Sequence, residues 1–237
     1  MIRIWILLSI KMITKSIGLM SLLLLSSFLL FEFTPLDIII QDYFYNFNTH
    51  EWILDKNAVL PKLIFYDGIK KLYILFVIAL LISLLFFRRH SIIVHYRKGL
   101  VIVLLSCLTV PLFIALLKAT TNVPCPTDIK RYGGNYPYVT VLSKYPDTFY
   151  QTENIRCYPA GHASGGFALM SLFFLFRSRR NKKIALISTL AIGWTIGNYK
   201  MIIGDHFFSH TLITMIIAWL MILMIVKING YFNSLKE

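Results

Sequence analysis

The chain has 237 residues, of which 57% are hydrophobic and only 15% are charged, and its mean hydropathy is +0.67. A water-soluble domain carries roughly 25% charged residues, so lipid must solvate much of this surface. The net charge of +13 would suit a nucleic acid. However, the basic residues fall in short clusters between apolar runs and no nucleic-acid-binding motif appears, which argues against that partner.

Six apolar runs of membrane-spanning length follow one another along the chain. They cover residues 17–33, 72–87, 100–117, 163–176, 184–203 and 211–226. The first run follows a basic head, but it is long for a signal peptide and no small-x-small cleavage site stands out, so we expect an uncleaved helix. The sequence therefore predicts an all-α integral membrane protein with six transmembrane helices, forming a single membrane domain over residues 1–237.

Basic clusters in the head, after the second span, after the fourth span and in the tail indicate which side of the membrane each connection occupies. Under the positive-inside rule both termini are cytoplasmic, and segments 34–71, 118–162 and 204–210 lie outside. In a bacterial inner membrane these outer segments face the periplasm. Aromatic residues in segment 34–71 suit the lipid headgroup layer and predict an interfacial helix there. They are Tyr43, Phe44, Tyr45, Trp52, Phe65 and Tyr66.

Two of the three cysteines lie in the outer segment 118–162, an oxidising location if the orientation is right. A disulfide between Cys125 and Cys157 would tie together the two ends of that segment. Two separate thiols are the alternative, because spacing alone does not define geometry. Cys107 lies within the third span and is interpreted as a packing residue.

Polar residues gather where three spans reach the outer side. Lys118 ends the third span, Pro159-Ala160-Gly161-His162 opens the fourth, and Lys200, His206 and His210 flank the last outer connection. Each has a structural explanation by itself, such as a lysine that extends to the interface. Together they supply cations, imidazoles and a helix start on one face of the membrane. A phosphate ester needs these groups: positive charge, backbone N–H donors, a nucleophile and an acid for the leaving oxygen.

The spacing of these residues resembles the type 2 phosphatidic acid phosphatase family, which shares a helical core with vanadium haloperoxidases. That family carries Lys-x6-Arg-Pro, Pro-Ser-Gly-His and Ser-Arg-x5-His-x3-Asp. This chain has Lys118-x6-Cys125-Pro126, Pro159-Ala160-Gly161-His162 and Lys200-x5-His206-x3-His210. The likeness covers about residues 100–220 and is closest to a membrane-bound bacterial branch.

The resemblance implies a role for each matched position. His206 would attack phosphorus to form a phosphohistidine, and His162 would protonate the leaving oxygen and later help to activate water. Lys118, Lys200 and the Gly161 N–H would hold the phosphoryl oxygens. No metal or other cofactor is expected.

Four positions depart from the family pattern. Cys125 stands where the family has an arginine. Arg131 and Arg156 are candidate replacements for the phosphate contact of that arginine. Ala160 and Lys200 replace a serine and an arginine. His210 replaces the aspartate that orients the nucleophilic histidine, which predicts an altered or slower site, or an inactive descendant.

The same residues also allow three other hypotheses: a metal site, a serine protease and a transporter. His206 and His210 are spaced to share a helix face toward zinc, with Asp205, His162 or Cys157 as further ligands. Ser164 with His206 could imitate a rhomboid-type intramembrane serine protease, although the Gly-x-Ser-Gly pattern is missing. A non-catalytic transporter would want its polar groups nearer the bilayer midplane.

The sequence thus predicts a lipid phosphate phosphatase that acts at the periplasmic face of the membrane. Its substrate would be a membrane lipid phosphate: phosphatidic acid, phosphatidylglycerol phosphate, polyprenyl diphosphate or lipid A. A lipid phosphotransferase would use the same residues. The expected partners are the substrate and the bilayer, and no nucleic acid.

Overall fold

The computed structural model describes the backbone of residues 2–151 and 153–234, and the side chains of residues 11–65, 67–151 and 153–230. The helices are α1 (Ile2–Phe33), α2 (Leu36–Asp42), α3 (Val59–Lys62), α4 (Ile69–Phe86), α5 (Ser91–Thr120), α6 (Gly161–Ala168), α7 (Arg179–Ile202) and α8 (Phe208–Ser234). Two short antiparallel strands, β1 (Tyr45–Asn46) and β2 (Glu51–Trp52), form a hairpin. A π-helical turn (Leu63–Gly68) joins α3 to α4, and a 3-10 segment (Leu169–Phe174) extends α6.

Four helical stretches in the described part of the chain are long and apolar enough to cross a membrane. They are Lys11–Phe33, Val59–Phe86, Ser91–Thr120 and Phe208–Gly230. These stretches contain the predicted first, third and sixth spans and nearly all of the second, and they identify the chain as a helical membrane protein.

The predicted fourth and fifth spans do not meet the same measure of length and apolarity. Residues 163–174 of the fourth are divided between the eight-residue α6 and the 3-10 segment. Residues 184–202 of the fifth fall on α7, which mixes apolar residues with Ser, Thr, Gly and Asn. Helix α6 packs inside the bundle, and α7 packs one face against it, where small and polar residues are tolerated between helices. The count of six spans therefore remains a prediction.

Helix α8 holds the bundle together, because it packs along α1 and against α5 and α6. Helix α6 is enclosed by α5, α7 and α8, and Phe167 on α6 lies in the buried core with no exposed surface. A side chain on Gly166 would begin 2.8 Å from the Cα of Gly193 on α7. The two backbones thus meet at glycines, which lets α6 and α7 pack closely.

Four helix ends that carry the motif residues meet at one end of the bundle. The backbone N–H of Ala160, just before α6, donates to the carbonyl of His210 on α8 at 3.1 Å. The hydroxyl of Thr121, just after α5, donates to the carbonyl of Tyr158. Since α7 and α8 are joined by a short loop, the end of α7 lies there as well.

Segment 34–71 contains α2, the hairpin, α3 and the π-helical turn in place of one continuous interfacial helix. The rings of Tyr45 and Trp52 lie 4.9 Å apart, and each lies 5.1 Å from the ring of Tyr132 in the second outer segment. These two aromatic residues therefore pack against protein, which the sequence pattern alone did not indicate. The location of the segment in the headgroup layer remains a prediction, and the side chain of Tyr66 lies outside the described residues.

Candidate active site

The three motif segments come together at the end of the bundle just described. The ring centroids of His162 and His206 lie 5.9 Å apart. Lys118, in the last turn of α5, approaches Gly161 so closely that a Cβ there would lie 3.9 Å from the Lys118 Cδ. Lys118 and Lys200 both act electrostatically on His162 and His206. One region of the protein thus contains two ammonium groups, two imidazoles and the first turn of α6.

His206 is buried in the loop between α7 and α8, with 2% of its surface exposed. Its Nδ1 lies 3.5 Å from the Nδ1 of His210 and 3.4 Å from the Sγ of Cys157. Its Nε2 is buried and has no hydrogen-bond partner among the described residues. Two neutral imidazoles can meet through nitrogen only if one donates and the other accepts. If His206 donates from Nδ1, its Nε2 keeps a lone pair.

The surroundings of the two rings favour their neutral forms. Burial lowers the pKa of His206 well below its ordinary value, and His210 and Lys118 add to the effect. Partial burial, followed by the charges of Lys200 and Lys118, lowers the pKa of His162 to about 4. Both imidazoles are therefore unprotonated at neutral pH while no anion is bound.

Cys125 and Cys157 form a disulfide, so the structure has one of the two arrangements that the sequence left open. The bond joins the chain just after α5 to the chain just before α6, across 32 residues. Besides its contact with His206, the Sγ of Cys157 lies 3.0 Å from the backbone oxygen of Asp205. A disulfide sulfur carries no proton, so these contacts are packing contacts. The disulfide thus supports the loop that carries His206.

The candidate phosphate-binding cations differ in their partners. Lys200 is 7% exposed, and its Nζ lies 2.7 Å from the Oδ2 of Asp205. Arg131 donates two hydrogen bonds to Asp42, at 2.8 and 2.6 Å, so its guanidinium is already engaged by a carboxylate. Arg156 is exposed beside the disulfide. A phosphate would have to compete with the Asp42 carboxylate for Arg131, so its phosphate contact remains a prediction.

The contacts of Cys157, His206 and Ser164 bear on the two alternative chemistries, a metal site and a serine protease. Ligand atoms of Cys157, His206 and His210 lie within 4.8 Å of one another. A catalytic zinc site needs three protein ligands, and the disulfide removes the thiolate from this set. The hydroxyl of Ser164 donates to the carbonyl of Gly161 in its own helix at 2.6 Å. This bond does not resemble a serine paired with a histidine base.

Helix α2 carries two residues whose importance the sequence did not signal. Asp37 is 4% exposed and accepts hydrogen bonds from the backbone N–H of Ser209, at 2.9 Å, and from the Ser209 hydroxyl. The Gln41 amide donates to the carbonyl of Met201 at 2.9 Å. These bonds hold both ends of the segment that runs from Lys200 past His206. They join residues 160 and 172 positions apart, and no local pattern could have predicted them.

We expect Asp37→Ala to lower the free energy of unfolding by about 1–3 kcal/mol, because two buried donors of Ser209 lose their acceptor. Thermal unfolding of the purified protein in detergent measures the change. Glu51→Ala, which removes an exposed carboxylate from the same outer segment, is the matched control and should change the midpoint little. Equal midpoints for the two variants would show that Asp37 does not support the loop.

Comparison with known proteins covers the part of the chain that carries these residues. The model of the PAP2 superfamily matches residues 99–234, more than half of the chain, and this range includes all three motif segments. Lipid A 4'-phosphatase of Francisella tularensis subsp. novicida (strain U112) is 26% identical over 182 residues, covering 75% of this chain and 78% of that protein. No solved structure matches the chain at a significant level.

Proposed function

The chain belongs to the PAP2 superfamily, and we propose that it is a lipid phosphate phosphatase that hydrolyses a phosphomonoester or diphosphate on a membrane lipid. The observation that carries this proposal is the meeting of Lys118, His162, Lys200 and His206 at one end of the bundle. A phosphoryl group requires cations, a nucleophile and an acid for its leaving oxygen, and these four residues supply each of them.

His206 is the proposed nucleophile. Its Nε2 attacks phosphorus, the bond between phosphorus and the lipid oxygen breaks, and a phosphohistidine forms. The buried Nε2 without a hydrogen-bond partner among the described residues supports this role. His210, whose Nδ1 lies 3.5 Å from the Nδ1 of His206, takes the orienting position that the family gives to aspartate. As a neutral acceptor it stabilises positive charge on His206 less than a carboxylate would.

His162 is the proposed acid and base. It gives a proton to the departing lipid oxygen, and in the second step it takes a proton from the water that attacks the phosphohistidine and releases inorganic phosphate. Its pKa of about 4 applies while the site is empty. A phosphate dianion beside the ring favours the imidazolium and raises this pKa, so the proton needed for the first step is taken up as the substrate binds.

Lys118, Lys200 and the N–H groups at the start of α6 are the proposed phosphate ligands. Lys200 already pairs with Asp205, and a bound phosphoryl group would compete for the same ammonium. Gly161 begins α6. The first N–H groups of a helix have no acceptor within the helix, so they can point at an anion. Arg131 and Arg156 are the proposed candidates for the contact that the family makes with arginine, and Arg156 is exposed beside Cys157.

The proposed setting is a bacterial inner membrane with six spans, both termini in the cytoplasm and the site at the periplasmic face. The grouping of basic residues supports this orientation, and a disulfide beside the site suits an oxidising compartment. The four proposed substrates remain phosphatidic acid, phosphatidylglycerol phosphate, polyprenyl diphosphate and lipid A. The similarity to a lipid A 4'-phosphatase makes lipid A the first of these to test.

The test is phosphate release by the purified protein from each of the four lipids, without added metal and with a chelator present. We expect release from at least one lipid, at a rate that the chelator leaves unchanged. Loss of activity on chelation would favour a metal site instead. Transfer of labelled phosphate to a second lipid, with no free phosphate, would identify a phosphotransferase.

A further inference from the structure

A cavity of about 570 Å³ lies beside the site, between α4, α6 and α7. Its wall is mostly aliphatic and aromatic, and includes Phe65, Ile69, Tyr73, Phe76, Leu169 and Ile196. Pockets that enclose small ligands have volumes of roughly 300–1,000 Å³. The cavity is therefore large enough to hold part of a ligand. Its mostly apolar wall does not suit a phosphate group.

The cavity wall also includes charged and polar groups. His162 and Gly161, at the start of α6, line it together with Lys70 on α4. Lys70 acts electrostatically on His162, together with Lys118 and Lys200. A ligand with an apolar body in the cavity would thus present its charged end to the proposed acid and to three lysines.

Part of the cavity wall is formed by apolar residues of α4 that are exposed on the protein surface. Leu72 and Ile74 on α4 line the cavity and are 67% and 47% exposed. Helix α4 belongs to the stretch Val59–Phe86, which is long and apolar enough to span a membrane. Exposed apolar residues on such a helix lie against lipid chains.

We infer that this cavity binds a hydrocarbon chain of the lipid whose phosphate is hydrolysed, and that Lys70 binds an anionic oxygen of the same lipid's head group. The inference rests on the proposed function. A lipid chain is already in an apolar environment in the bilayer, so moving it into the cavity adds little affinity from burial. The gain is one of orientation, because a chain held in the cavity aligns the phosphate with His206.

Filling the cavity tests the chain-binding part. A Cβ on Gly165 would lie 3.4–3.5 Å from ring carbons of Tyr73, in ordinary to slightly tight contact. Gly165→Ala is therefore tolerated, whereas Gly165→Leu projects into the cavity. The measurement is the ratio of kcat/KM for a phosphate ester with two long acyl chains to kcat/KM for a water-soluble aryl phosphate. We expect this ratio to fall at least about tenfold in Gly165→Leu relative to Gly165→Ala, as misplacement of a substrate predicts.

A second filling variant controls for general effects of added bulk. Ser188 on α7 lines a neighbouring cavity of about 330 Å³, whose wall shares Leu169 and Ile192 with the first cavity but does not include His162. Ser188→Leu should leave the ratio of long-chain to soluble substrate unchanged. An unchanged ratio in Gly165→Leu would overturn the inference and leave the proposed function standing. Absence of phosphate release from every substrate by the unaltered protein would instead overturn the proposed function.

Neighbouring lysines allow a matched test of the head-group contact. Lys70 and Lys71 are both exposed, but Lys71 is not part of the cavity wall. We expect Lys70→Gln to raise the KM for the long-chain lipid about tenfold and Lys71→Gln to change it little, although both remove one positive charge. Equal effects of the two variants would show that Lys70 acts through net charge alone, and the head-group contact would be rejected.

Discussion

We expect His206→Ala to lower phosphate release from a lipid phosphate by at least about 100-fold, the scale expected for a lost catalytic group. The reason is geometric. His206 is the imidazole whose Nε2 is buried at the meeting point of the motifs and has no partner among the described residues. Initial rates with the lipid that the unaltered protein hydrolyses best give the comparison. Acid-labile phosphate bound to the unaltered protein, and missing from His206→Ala, would identify the covalent intermediate.

The matched control for this prediction is His95→Ala. His95 is an exposed histidine on α5, roughly 35 Å along the helix from Lys118 at 1.5 Å per residue. This variant should keep nearly full activity. Because His206 is buried, thermal unfolding of both variants must also be compared. A folded His206→Ala protein with near-normal activity would exclude the phosphohistidine route.

We expect His162→Ala to lower kcat/KM at least about 100-fold with a lipid phosphate, whose leaving group is a poorly acidic alcohol that needs a proton. The loss should be much smaller with an aryl phosphate, because a phenolate leaves without protonation. His206→Ala should reduce activity equally on both substrates, since each needs the nucleophile. The comparison of the two esters therefore separates the acid from the nucleophile.

His90→Ala serves as the control for His162, because His90 is exposed just before α5, at the far end of that helix from Lys118. His90→Ala should leave kcat/KM unchanged for both the lipid phosphate and the aryl phosphate. If His162→Ala lost as much activity on the aryl phosphate as on the lipid, His162 would not be the acid. Its position 5.9 Å from the ring of His206 would then have to be explained by substrate binding or by support of the nucleophile.

Local pattern was sufficient for the most apolar helices. Three of the predicted spans lie wholly within helices that are long enough to cross a membrane, and the second does so apart from its last residue. Hydropathy is summed over neighbouring residues, so it detects helices that face lipid. It is weaker for α6, which is enclosed by other helices, and for α7, which mixes apolar residues with polar ones. The two helices also contain Gly166 and Gly193, where their backbones meet.

The sequence by itself determined that Lys118, His162 and His206 are candidates for one phosphate chemistry, because their residue types and spacings follow a family motif. Only the tertiary structure decided which groups accompany them. In the structure, Arg131 pairs with Asp42, Cys125 forms a disulfide with Cys157, and Asp37 accepts hydrogen bonds from Ser209. These contacts join residues 32 to 172 positions apart. Such pairings depend on how helices pack in three dimensions, whereas periodicity and spacing report only on neighbours along the chain.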